Sequence, residues 1–177
     1  MTIGKMYLLA VEDFQAYMNQ RVGLETFLKV LLSHEFKATL TFRFYSWLYR
    51  QRASKLFGFL LFQRAKRIYG IDIHPLAEIG GGLVFSHTGA IVIGGQSKIG
   101  KNLTLHSGVT IGESIAGQGM PTIGDHVNIG TGAKVLGRIE IASGTTIGAN
   151  AVVLKSFPTG VLVGVPAALK APVKSRE

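Results

Sequence analysis

Residues 123–153 read IGDHVNIGTGAKVLGRIEIASGTTIGANAVV, with Ile123, Ile129, Val135, Ile141, Ile147 and Val153 at every sixth position. The series continues backwards through Ile111, Leu105 and Ile99. Further upstream Ile73, Ile79, Phe85 and Ile91 keep the same period, with a two-residue offset between Ile91 and Ile93. A second track lies four residues after members of the first, at Ala77, Leu83, Leu103, Val109, Val127, Ala133, Ile139, Thr145 and Ala151. Gly often follows the aliphatic residue directly, as at Gly80, Gly100, Gly124, Gly130 and Gly148. Six is neither the period of an amphipathic helix nor the alternation of a hairpin. It is the period of a hexapeptide β-helix, in which each short strand forms one face of a coil.

The physics of that period is simple. Each six-residue unit supplies a short strand and a corner. The strand turns one aliphatic side chain inward, and the small residue beside it lets the backbone bend. One coil cannot bury its own face, but coils stacked at about 4.8 Å pair their backbones and share a continuous apolar stripe. The period alone fixes neither the number of sides nor the handedness.

The rest of the composition narrows the class. With 177 residues, 47% of them hydrophobic, the chain can hold one domain and a helical appendage. It has no cysteine, which excludes disulfides, thiolate chemistry and cysteine-bound zinc. Met1 to Ala10 is too short and too polar for a signal peptide. The longest apolar run, Leu56 to Phe62, has seven residues, far short of a membrane span.

The organisation changes near Gly70. Residues 1–70 carry eleven Lys/Arg against four Asp/Glu, residues 71–177 carry eight against six, and nineteen of the 23 glycines lie in the second part. We expect a helical region over 1–70 and a β-helix domain over 71–177. Phe27, Val30 and Leu31, then Phe36, Leu40, Phe44, Trp47 and Leu48, keep three- and four-residue spacings. A third helix is expected over 56–68, with Arg64, Lys66 and Arg67 near its C-terminal end, where the helix dipole favours cations. The basic surplus has three readings: charge in solvent, attraction of a phosphate-bearing substrate, or peripheral contact with an anionic membrane. The first two are favoured, because the aromatic residues of these helices are needed against the coil. Nucleic-acid binding is not expected, since the charge is diffuse and no recognition module is present.

Two features depart from the regular repeat. Residues 112–122, GESIAGQGMPT, replace one repeat and double its length without breaking register, and their composition is that of a loop. Such interruptions of a rigid scaffold favour function. The five histidines supply candidate bases. His34 falls in the helical part and His74 precedes Pro75 at the start of the repeats. His106 and His126 sit just after inward positions, and His87 lies beside the offset in the period. No two are three to five residues apart, so no metal site is expected.

The repeats resemble those of the hexapeptide acyltransferases. Ile71-Asp72-Ile73-His74-Pro75 followed by Ala77-Glu78-Ile79-Gly80 is similar to the serine acetyltransferase branch. So are Ser86-His87 through Ile91-Val92-Ile93-Gly94, Val109 to Gly112, Ile129 to Gly137, and the closing turn Val163-Gly164-Val165-Pro166-Ala167. Phe36 to Tyr49, with Arg43 and Trp47, resembles the helical region of that branch. The similarity covers roughly residues 34–172. It implies a left-handed parallel β-helix, a homotrimer, a cytoplasmic enzyme and acetyl-CoA as cosubstrate.

Within that resemblance the chain departs at two positions. Ser86 stands where the branch has an acidic residue before its catalytic histidine, and Met120 stands where it has a second histidine before the proline that ends the loop. Since a serine acceptor presents an ammonium and a carboxylate, loss of those groups leads us to expect a sugar hydroxyl in exopolysaccharide or capsule synthesis. L-serine and a non-catalytic scaffold are the alternatives. The resemblance makes His87 the general base, assisted by Ser86. A hydroxyl is a weak nucleophile and needs a base as it attacks, and an imidazole titrates near neutrality. His106, Ser107 and Met120 are expected near the acceptor. The cofactor is expected along the coil between two subunits, against Gly112, Thr131, Gly132, Ala149 and Asn150, with Lys134, Lys155 or Lys170 meeting its phosphates.

Overall fold

The computed structural model describes residues 1–18, 23–158, 160–162 and 164. Four helices come first: α1 (Ile3–Met18), α2 (Leu24–Leu32), α3 (His34–Tyr49) and α4 (Lys55–Tyr69). Fourteen short strands follow. β1 (Ile71–Ile73), β4 (Ile91–Ile93), β7 (Thr110–Gly112), β10 (Lys134–Leu136) and β13 (Val152–Val153) stack in that order as one parallel sheet. β2 (Glu78–Ile79), β5 (Lys98–Ile99), β8 (Thr122–Ile123) and β11 (Glu140–Ile141) form a second. β3 (Val84–Phe85), β6 (Thr104–Leu105), β9 (Asn128–Ile129), β12 (Thr146–Ile147) and β14 (Val161–Leu162) form a third. The chain visits the three sheets in turn, which makes a parallel β-helix with three faces and three edges.

The register follows the sequence period. Ile99 pairs with Ile123, Leu105 with Ile129 and Val135 with Val153, each a single inward residue stacked on its counterpart in the next coil. These side chains are buried, as is the second track from Ala77 to Ala151. Burying an aliphatic side chain of this size stabilises by roughly 1.5–3 kcal/mol, so the column as a whole holds the coil. The loop after β7 keeps register as the doubled spacing requires, since Ile111 still pairs with Val135. The two-residue offset resolves as a widened corner. Both Ile71 and Ile73 pair with Ile91 and Ile93, and the additional length falls in the turn after Phe85, where Gly89 has φ 110° and Ala90 φ 52°.

The helical region contains one more helix than the spacing of its apolar residues led us to draw. α1 was not expected, although Ile3, Tyr7, Ala10, Phe14 and Tyr17 recur at four, three, four and three residues. Ser33 starts α3 by accepting the Phe36 N–H at 3.2 Å. Gly70 ends α4 in the left-handed conformation, φ 63°, with its N–H on the Lys66 carbonyl.

What seats these helices on the coil is polar. Arg43 is buried and forks onto Asp13, Nε to Oδ2 at 2.7 Å and Nη2 to Oδ1 at 2.9 Å. The same guanidinium donates to the Ile79 and Gly80 carbonyls. Tyr45 donates to Ile73, Ser46 to Pro75, Arg50 to Ala77 and Tyr17 to Phe85, all at main-chain oxygens. Asp13 accepts the Leu83 N–H and Tyr17 the Phe85 N–H. Other amides of the first coil donate to the second, as His74 does to Ile93 and Val84 to Leu103. The helices therefore satisfy the outward edge of the first coil, where no further coil is stacked.

Candidate functional site

The edge that joins the third sheet to the first carries most of the residues singled out from sequence. Ser86 and His87 follow β3, His106 and Ser107 follow β6, Thr131 and Gly132 follow β9, and Ala149 and Asn150 follow β12. They climb the edge as rungs. The Gly108 N–H donates to Gly89 at 2.9 Å, the Gly132 N–H to Ser107 at 2.9 Å and the Asn150 N–H to Thr131 at 2.8 Å. Ladder bonds from Ser86 to Leu105 and from His106 to Ile129 fix the backbone under both imidazoles. The rings of His87 and His106 meet edge-on, 6.5 Å between centroids, and the His87 ring is exposed on the widened corner.

This edge is tightly built above the histidines. Gly132 has φ 73°, and a Cβ there would collide with Asn150 Oδ1. Thr131, Ala149 and Asn150 are exposed at the rim. Lys134 is committed to the coil itself, its Nζ donating to the Gly108 carbonyl at 2.6 Å and to Thr110 Oγ1 at 3.0 Å. Lys155 is exposed, and Lys170 lies outside the described residues.

Gly112, Met120 and Lys155 stand elsewhere. Gly112 ends β7 and opens the loop, and Lys155 lies between β13 and Phe157, which bridges to Ile141 of the second sheet. All three occupy the edge between the first and second sheets, so one protomer does not bring them to His87. Met120 packs across Gly94, where a Cβ would sit 2.6 Å from its sulfur. Open space surrounds Gly112, with nothing within 4 Å of a Cβ placed there.

Beside Ser86 lies a feature that the sequence did not single out. α1, α2, the start of α3 and β3 enclose a cleft of about 500 Å³. Tyr17, Thr26, Lys29, Ser33, Glu35 and Ser86 supply its polar lining. Tyr17 spans its floor, with its phenol between Thr39 and the backbone of Phe85. Burial pushes the phenol up to about 12, and the carboxylates of Glu35 and Asp13 act in the same direction against the two hydrogen bonds. Lys29 is exposed and pairs with Glu25 one turn earlier at 2.6 Å. The cleft thus carries one cation and one carboxylate. Lys29 and Glu35 lie six residues apart in sequence, and only the packing of α2 on α1 and α3, which in turn contact β3, brings them to a common cleft.

The remaining histidines have structural surroundings. His34 opens α3 with its ring 4.8 Å from that of Tyr69, the N-cap being Ser33. His126 turns the edge between the second and third sheets at φ 56°. His74 accepts the Leu76 N–H on Nδ1, and burial lowers its pKa below the usual value, with Arg50 in the same sense and Asp72 opposing. Among the described residues no group of three or more His, Asp or Glu is placed to hold a metal ion.

Comparison with known proteins fits this architecture. The family described as bacterial transferase hexapeptide (six repeats) matches residues 120–155. The serine acetyltransferase of Mycobacterium tuberculosis is 44% identical over 123 residues, which are 68% of this chain and 53% of that protein. That of Synechococcus elongatus is 34% identical over 165 residues, 91% of this chain and 67% of that one. The structure of the soybean serine acetyltransferase complexed with serine superposes with a TM-score of 0.81 at 34% identity, covering 94% of this chain and 70% of that one. The chain spans about half the length of the first of these.

These relatives overturn the sugar acceptor, and with it the exopolysaccharide or capsule role, that Ser86 and Met120 led us to expect. That expectation treated two absent polar groups as the loss of amino-acid recognition. The structure gives Met120 a packing role against Gly94 and places a cation and a carboxylate in the cleft beside Ser86.

Proposed function

The chain belongs to the serine acetyltransferase family of hexapeptide-repeat transferases, and we propose on that premise that it transfers acetyl from acetyl-CoA to the hydroxyl of L-serine. The observation that carries the acceptor half of this reading is the cleft beside Ser86, with Lys29 and Glu35 in its lining. A free amino acid has one anionic and one cationic end, and leaving either unpaired on binding would be costly. Glu35 suits the ammonium, and Lys29, on exchanging its exposed pair with Glu25, suits the carboxylate, which leaves the hydroxymethyl group to approach Ser86 and His87.

His87 then acts as the general base. Its imidazole takes the hydroxyl proton as the serine oxygen attacks the thioester carbonyl. The hydroxyl of Ser86 or Ser107 donates to the oxyanion. Collapse breaks the carbon–sulfur bond, and the proton passes from His87 to the departing thiolate, giving O-acetylserine and free CoA. No side chain needs to be acylated, because holding both substrates together supplies much of the rate.

Acetyl-CoA would lie along the coil, its pantetheine against Thr131, Gly132, Ala149 and Asn150. We place the site between protomers of a homotrimer. A neighbour's edge carrying Gly112, Met120 and Lys155 would face His87 there, bringing the open backbone at Gly112 and the Lys155 ammonium to the cofactor. Sedimentation of a monomer alone at micromolar concentration would overturn the trimer.

The activity is tested by thiol release from acetyl-CoA with L-serine and by identification of O-acetylserine. Turnover is expected, with Glu35→Gln raising KM for serine about tenfold to a hundredfold at nearly unchanged kcat. Absence of L-serine-dependent thiol release by the native chain would overturn the acceptor.

A further inference from the structure

Helix α4 turns Gly58, Phe62 and Ala65 inward. The first two turns of its opposite face are apolar and uncovered. Leu56, Phe57, Phe59 and Leu60 stand 72%, 54%, 41% and 55% exposed within the first two turns. The later turns present Arg64 and Arg67 to solvent, while Lys66 pairs with Asp72 at 2.7 Å. The apolar face continues into a groove of about 400 Å³ between α3 and α4, lined by Leu40, Phe44, Phe57, Leu61 and Ile68 with Arg64 beside them. Contiguous exposed apolar surface of this kind marks an interaction site.

The charge pattern selects the partner. From Phe36 to Ile71 the sequence has eight Lys/Arg and no Asp/Glu, and of the eight Arg43 is buried on Asp13. A second copy packed on this face would set Arg64 and Arg67 against their own copies, with no carboxylate on α4 to offset the repulsion and Asp72 already paired with Lys66. An anionic lipid surface matches both halves. Its phosphates meet the arginines, whose long stems let the charge stay at headgroup level while apolar neighbours sink. Among the described residues no helix is long and apolar enough to cross a membrane, so such contact is interfacial.

We propose that the outer face of α4, with the adjoining α3–α4 groove, docks the protein on an anionic phospholipid surface. The test is co-sedimentation of the purified full chain with vesicles of phosphatidylcholine alone or mixed in equal parts with phosphatidylglycerol. Binding is expected to the mixed vesicles only, and to weaken as salt is raised. Arg64→Gln with Arg67→Gln should lower the affinity about thirtyfold, roughly fivefold for each cation. Leu56→Ser with Leu60→Ser should lower it as well. All four side chains are exposed, so thermal unfolding without vesicles should be unchanged in both variants. Thiol release from acetyl-CoA without vesicles should also be unchanged, which separates this surface from the acceptor reading. No binding to the mixed vesicles at low salt, or equal binding by the arginine variant, would overturn the proposal. A smaller assembly of the leucine variant in sedimentation velocity would also overturn it, and would assign the face to a second copy of the chain.

Discussion

The coil and the helical region are built by opposite means. In the coil, stability comes from repetition. Ile99, Ile123 and Ile141 stack on one face and Leu105, Ile129 and Ile147 on another, so each inward side chain has a near copy above and below. In the helical region stability at the junction comes from a few unlike groups, with Arg43, Asp13, Tyr45 and Ser46 buried where they meet the first coil. The contrast has a practical meaning. A repeated face spreads the cost of a substitution over neighbours that can adjust, whereas a buried ion pair concentrates it. The edges of the coil belong to neither scheme, and the candidate chemistry lies there.

The largest effect should come from an edge and should leave stability alone. His87→Ala is expected to lower kcat about 10²–10⁴-fold in the thiol-release assay, with an unchanged urea midpoint, because the ring is exposed. His126→Ala, on a different edge, should keep near-native turnover. A His87→Ala enzyme with normal kcat would move the role of base to another group.

At the junction the expectation is reversed. Arg43→Ala leaves the Asp13 carboxylate buried without its partner and should destabilise by about 3–5 kcal/mol in urea unfolding. Lys101→Ala removes an exposed pair with Glu12 at 3.4 Å and should cost under about 1 kcal/mol. Equal losses for the two would show that the buried fork is not what seats the helices.

Gly132 and Gly112 sharpen the comparison within the coil. Gly132→Ala must hold a left-handed residue against Asn150 and should cost roughly 1–2 kcal/mol, whereas Gly112→Ala enters open space and should leave unfolding unchanged.

The smallest effect is a pH dependence at the junction. The folded pKa of His74 is below its ordinary 6.5. The unfolded chain therefore binds more protons in the window just below that value. The His74 contribution to stability is complete above about pH 6.5 and is lost as pH falls towards the folded pKa. Protonation at Nδ1 would also remove the acceptor of the Leu76 N–H. Thermal unfolding of His74→Asn should show a weaker fall between pH 7 and pH 5 than the native chain, and identical slopes would contradict the assignment.

The coil was legible because its inward positions are set by spacing alone, and the second track from Ala77 to Ala151 is buried throughout as the period requires. α1 was less legible because the residue it buries is Asp13, whose partner Arg43 is thirty positions away. No local pattern connects a carboxylate in one helix with a guanidinium in another. For the site, the period shows that His87 and His106 follow inward residues. It does not give the number of faces, and that number decides that the two share an edge while Met120 stands on another. The acceptor was misread for a related reason. In the sequence Ser86 and Met120 stand as lost polar groups, while Lys29 and Glu35 gain meaning only once the helices close a cleft beside Ser86.

The hydrogen bonds that α1 and α3 make to the first coil also bear on solubility. A parallel ladder with an open first rung is a seed, because the last rung of another molecule could add to it, and the next to that, in an unclosed head-to-tail filament. Tyr45, Ser46, Arg43, Arg50 and Tyr17 occupy the main-chain oxygens at Ile73, Pro75, Ile79, Gly80, Ala77 and Phe85, which such growth would use. Asp13 and Tyr17 occupy the amides of Leu83 and Phe85. These side chains take the place of a further rung while offering no strand to pair with, so growth at this end stops at one molecule.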